Sequence, residues 1–221
     1  MTFVGNQVVF ERGIFLNQLI SSLLKNVLYG FAAYILISWP RELLRCVFYR
    51  ISFGRERTTN KLFPFLKKSL IGYVDPIGVL TFLFFDFGWT KPPLVDYIKV
   101  RRKKLFLFSL YGILASFLLG LIYGMASRFS NSPILFNLLY LSSKWSFTLG
   151  VISLIPFPPL DSSRMVLAFL TDKSYEWYIK FQFYGILFML GLLVLWILPM
   201  IMHPLVIFIT NVTNFIVFGN W

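Results

Sequence analysis

Histidine and cysteine each occur once in these 221 residues, and nine acidic side chains face 21 lysines and arginines. A single cysteine, Cys46, excludes an intrachain disulfide and a thiolate metal cluster. A single histidine, His203, leaves too few imidazoles for a catalytic zinc site of the common kind. Charged residues make up only 14% of the chain, where soluble domains carry about a quarter. Hydrophobic residues reach 57% and the mean hydropathy is +0.73. That is more apolar surface than one water-facing core can hide, and lipid is the solvent that fits.

The formal charge of +12 would suit a nucleic-acid binder in a soluble chain. Here the cations lie in the gaps between apolar runs. Such placement sets membrane topology and faces anionic lipid headgroups, so nucleic acid is not an expected partner.

The opening MTFVGNQVVFERG lacks the basic-then-apolar order of a cleaved signal peptide, and the first apolar helix is expected to insert uncleaved. The stretch IFLNQLISSLLKN, which includes Lys25, alternates apolar and polar residues at helical spacing, and the segment 1–26 is expected to lie in the membrane interface. An apolar helix then starts near Val27 and must borrow part of the basic run RELLRCVFYRIS to reach the ~20 residues of a crossing. The apolar piece 74–87 is too short to cross comfortably. Cations between positions 41 and 68 precede it and others between 91 and 104 follow it. A crossing would put these on opposite faces, so the positive-inside rule predicts a re-entrant hairpin.

Residues 105–126 form a good span in which Gly112, Ala115, Ser116, Gly120 and Gly124 permit close helix contact. Residues 134–155 return, with Lys144 near the middle. Residues 181–202 cross again, and 204–218 form a half-helix. The expectation is an all-α polytopic membrane protein of about four full transmembrane helices, a short re-entrant hairpin and a terminal half-helix. Its parts are the interfacial segment 1–26, a membrane core 27–203 and an apolar segment 204–221. The basic loops 39–73, 89–104 and 156–180 are placed on the cytoplasmic side.

Three segments, in order, resemble one family. Asp75-Pro76-Ile77-Gly78 with Phe87-Gly88-Trp89-Thr90-Lys91-Pro92 is similar to DPIG…FGWAKP. Leu154-Ile155-Pro156-Phe157-Pro158-Pro159-Leu160-Asp161-Ser162-Ser163-Arg164 is similar to NLLPIPPLDGSR. The helix around Gly112 and Ser116 stands where AGPLAN is found. Together they resemble the site-2 proteases, the M50 intramembrane metalloproteases, over roughly residues 27–195, and most closely the small form lacking a PDZ domain.

The resemblance implies zinc held by an HExxH helix and the aspartate of LDG, with the glutamate as general base. This sequence departs at those positions. It reads Arg41-Glu42-Leu43-Leu44-Arg45, so both histidine positions are arginine, while Glu42 and Asp161 remain. Ser116 and Ser153 replace two asparagines and Ser162 the glycine of LDG. Arginine has no lone pair to offer and stays charged, so no metal is expected at this degenerate site, although zinc is the family's cofactor. Arg41 or Arg45 is expected to bridge Asp161 in bidentate fashion, with Glu42 as second acceptor. The alternative is that both arginines snorkel to headgroups. His203 is expected near the external end of the last full span, away from Asp161. Lys144 either pairs with an acidic residue or a neighbouring subunit, or snorkels.

A non-proteolytic scaffold or complex subunit, binding lipid and a partner's transmembrane helix, is the function these residues favour. The alternatives are a divergent metalloprotease using Glu42 and Asp161, and a channel or carrier component suggested by Lys144.

Overall fold

The computed structural model describes residues 3–54, 72, 74–91, 102–158 and 160–219, and all regular structure among them is helical. The cationic segments 55–68 and 92–101 lie outside the described residues. We label the helices α1 (Phe3–Phe53), α2 (Pro76–Phe85), α3 (Arg102–Arg128), α4 (Pro133–Ile152), α5 (Asp161–Leu167), α6 (Asp172–Val194) and α7 (Ile197–Phe218). Three of them contain stretches long and apolar enough to cross a membrane: Gln18–Phe53, Arg102–Arg128 and Ile197–Phe218.

Helix α1 runs 51 residues, so the segment expected at the interface and the apolar helix expected from Val27 are one continuous helix. At 1.5 Å per residue it is about 76 Å long. Pro40 sits inside it and cannot supply the N–H that the Leu36 carbonyl would normally accept. The Tyr123 hydroxyl of α3 donates to that carbonyl at 2.6 Å instead. The orphaned acceptor is thereby satisfied from a neighbouring helix.

Helix α2 opens on a cap. Asp75 accepts from the backbone N–H of Ile77 and Gly78 at 3.0 and 3.1 Å, and Pro76 occupies the first turn, where its missing donor costs nothing. The helix ends at Asp86, whose φ of 61° is left-handed, and the chain reverses there. Residues 87–90 return along α2 so closely that a methyl group on Gly78 would strike the Trp89 carbonyl. Tyr34 holds both legs of this hairpin, accepting from the Asp75 N–H at 3.2 Å and donating to the Trp89 carbonyl at 3.0 Å. Tyr34, Ile37, Phe82, Trp145 and Leu149 then pack into one core between α1, α2 and α4.

Helices α3 and α4 form the largest helix pair. The small residues of α3 permit it: Gly112, Ala115, Ser116, Gly120 and Gly124 are all buried. A side chain at Gly120 would meet the Phe147 ring, and Ser143 donates to the Gly120 carbonyl at 2.7 Å.

The C-terminal third differs from the expected crossing at 181–202. Helix α6 ends at Val194, Trp196 adopts a φ of 62°, and α7 starts at Ile197 and continues through Pro204 to Phe218. The expected half-helix is therefore part of a 22-residue helix. Early in α6, Tyr178 packs with Leu105 at the start of α3, and late in α6, Met189 packs with Ile152 at the end of α4. Ile152 lies beside Ser153, which reaches the same Arg41 as Ser116 midway along α3, so α6 runs from the level of the start of α3 to about its middle. Its first ten residues, DKSYEWYIKF, mix polar and aromatic types, the composition of an interfacial helix.

Candidate functional site

Four separate segments bring polar side chains to one buried point. Helix α1 presents Arg41 and Arg45 one turn apart on one face, with Glu42 between them. The returning leg after α2 brings Thr90, and α3 brings Ser116. The turn between α4 and α5 brings Ser153 and Asp161. That turn is tied locally: the Ser162 N–H donates to the Ser153 carbonyl at 3.1 Å, as does the Ser162 hydroxyl, and the Ser163 hydroxyl donates to the Leu160 carbonyl at 2.6 Å. Ser162, where glycine stands in the resembling family, therefore anchors the loop that carries Asp161.

Arg41 uses all three of its nitrogens. Nε donates to Ser116 Oγ at 2.6 Å. Nη1 donates to Glu42 Oε1 at 2.7 Å and to Thr90 Oγ1 at 2.8 Å. Nη2 donates to Asp161 Oδ2, with Ser153 Oγ at 3.5 Å. Arg45 Nη2 donates to the same Asp161 oxygen at 2.7 Å. One carboxylate oxygen thus receives two guanidinium groups, one bond from each. The expected bidentate fork from a single arginine is not the arrangement found.

Arg45 is held mainly by shape. Its guanidinium lies over the Phe108 ring at 5.2 Å and against Gly112, where any side chain would overlap it. Its Nε is 3.4 Å from Glu42 Oε2 but off line for a hydrogen bond. Arg45 Nη1, too, has no hydrogen-bond partner among the described residues.

Arg41, Glu42, Arg45 and Asp161 are at most 5% exposed. Stripping four charges of water is costly, and only close mutual pairing offsets it. Two cations face two anions here, and Arg164 approaches Asp161 Oδ1 from the edge at 3.5 Å. Burial by itself would raise the Asp161 pKa. Arg45, Arg41 and Arg164 outweigh it and hold the carboxyl well below the usual carboxylate range.

The residues do not fit zinc. The two positions facing Asp161 carry donors without lone pairs, and the Asp161 oxygen facing them accepts from both. Among the described residues, no three of histidine, cysteine, aspartate and glutamate gather where they could hold a metal ion.

Sequence reasoning passed over Thr90, although its own pattern held the signal. The resembling motif has alanine there, and the added hydroxyl accepts from Arg41 and lies 3.3 Å from Glu42 Oε1. Every hydroxyl-bearing departure from the motifs at this point, Thr90, Ser116, Ser153 and Ser162, either touches Arg41 or braces the Asp161 loop.

Lys144 and His203 stand apart from this cluster. Lys144 donates to Asp86 Oδ2 at 2.8 Å, and the Trp145 indole donates to Asp86 Oδ1 at 2.9 Å. His203 lies on α7 with Asp86 and Lys144 around an opening of about 730 Å3. It falls two turns into α7, at the end nearer α6. No family model matches this chain, and no curated protein or solved structure does either.

Proposed function

We propose that this chain is a non-proteolytic, site-2-protease-like integral membrane protein, a scaffold or subunit that binds the transmembrane helix of a partner. The observation that carries the reading is the double arginine clasp on Asp161. Two guanidinium groups supply the positive charge that the resembling family draws from zinc, and they leave no ligand set behind. The hydroxyls of Thr90, Ser116 and Ser153 are fitted to Arg41. In this reading α1, α3, α4 and α7 cross the membrane, with α4 turned inward by its Lys144–Asp86 pair. The α2 hairpin is re-entrant, α6 starts at the cytoplasmic interface, and the basic loops are cytoplasmic.

Elemental analysis of the purified protein tests this directly. The expected result is zinc well below one atom per chain. The variant Arg41→His/Arg45→His recreates HELLH opposite Asp161 and is expected to acquire about one zinc. Stoichiometric zinc in the unaltered protein would overturn the reading in favour of a metalloprotease using Glu42 and Asp161.

A further inference from the structure

The opening beside Lys144 has the shape and chemistry of a helix-docking groove, and it belongs to a different face from the arginine cluster. It follows α7 from Trp196 to Asn211, fifteen residues and therefore about 22 Å. That is most of the ~30 Å hydrocarbon depth. Phe84, Met200 and Ile207 line it and are largely exposed. Between them His203, Thr210 and Asn211 place polar groups along one side of α7.

Lys144 is only 15% exposed and has a single acceptor, Asp86. Its two further N–H bonds have no acceptor among the described residues. Donors left unused in hydrocarbon are costly, so the groove calls for an occupant that accepts hydrogen bonds. The ion pair is already neutral, and each Asp86 oxygen already accepts one bond, from Lys144 and from Trp145. A charged newcomer would bring a charge with no counter-ion. An uncharged group that both accepts and donates fits better. A lipid acyl chain would cover the groove's length but leave Lys144, Thr210 and Asn211 facing methylenes.

The geometry points to a partner's transmembrane helix that carries a glutamine or asparagine at mid-depth and seats it between Lys144 and Asn211. The amide carbonyl accepts from Lys144 Nζ, and the amide NH2 donates to the Asn211 side-chain oxygen. This rests on the helix-binding reading above and gives it a location and a recognition element.

The test uses the full chain, fluorescently labelled, in phosphatidylcholine vesicles. The probes are a labelled Leu/Ala peptide of membrane-spanning length with one central glutamine, and its all-apolar twin with leucine there. Energy transfer is expected to show the glutamine peptide associating about fivefold more tightly, the scale of one side-chain hydrogen bond inside a bilayer. Lys144→Met is expected to abolish that advantage. Asn211→Leu is expected to reduce it as well, and because this exposed residue does not touch the ion pair, a folding defect cannot explain the loss. Equal association of the two peptides, or a glutamine advantage that survives both substitutions, would overturn the groove assignment while leaving helix binding intact. Association of neither peptide would sink the assignment and the helix-binding reading together.

Discussion

Gly112 on α3 leaves the space that the Arg45 guanidinium fills, so the buried charge on α1 that bonds Asp161 depends on an absent side chain on a neighbouring helix. A methyl group at position 112 would overlap the guanidinium itself. Gly112→Ala is therefore expected to destabilise the protein by about 1–3 kcal/mol, the usual cost of overpacking. Gly191→Ala is the control: nothing lies near that position, and the exchange removes a helix-interior glycine worth ~0.5–1 kcal/mol. Thermal unfolding in one detergent should move the two variants in opposite directions.

Asp161 is the hub that two arginines share. Asp161→Asn leaves Arg41 and Arg45 buried beside a neutral group, and a loss of about 3–5 kcal/mol is expected. The fourfold variant Arg41→Met/Glu42→Leu/Arg45→Met/Asp161→Leu removes the whole charge set and should recover most of that loss. Fluorescence size-exclusion chromatography after graded heating reads both. An Asp161→Asn protein as robust as the parent would mean that the arginines reach the headgroups instead.

The same carboxylate gives the protein an acid limit. Its folded-state pKa lies below the ordinary 3.8, so the unfolded chain takes up the proton first. The stabilisation is complete above that ordinary value and drains away as pH falls through it toward the native value. Melting temperature followed downward from pH 6 should fall more steeply in the parent than in the fourfold variant, which lacks the group.

Asp86 and Lys144 offer a milder case, since Asp86 is 41% exposed. Asp86→Asn keeps a residue suited to the left-handed φ and removes only the charge. A loss of about 1–2 kcal/mol is expected from leaving Lys144 unpaired. Adding Lys144→Met should restore part of it, and the double-mutant cycle isolates the pair.

The arginine cluster was legible because three residue types had changed together at motif positions, and arginine cannot do what histidine does. Its exact bonding was not. Which nitrogen meets which oxygen depends on Thr90 and Gly112, whose roles appear only once the hairpin and α3 are packed against α1. The hairpin itself was readable from the length of 74–87 and from the cations that precede and follow it; the cap at Asp75 with Pro76 in the first turn is what the structure adds. The break at Trp196 was harder to see: Pro199 in the first turn of α7 hints at a helix start, but a tryptophan at positive φ leaves no trace in the pattern. The expected half-helix began at Pro204, yet α7 runs through that proline. The position of His203 and the groove beside it followed from that single misplaced turn.

Tyr123 and Ser116 lie seven residues apart on α3, hence on one face, and meet α1 at Leu36 and Arg41. Apolar helices in lipid grip one another without strong preference for where along their length they do so. A slip of one residue would shift α1 by about 1.5 Å and rotate it by about 100°. Either motion parts the Tyr123 hydroxyl from the carbonyl bared by Pro40 and Arg41 from Ser116 at once. The proline therefore acts as a notch in an otherwise smooth rod: it sets both the depth and the rotational phase at which α1 is clamped. The two arginines reach Asp161 because the helix carrying them has been denied freedom to slide.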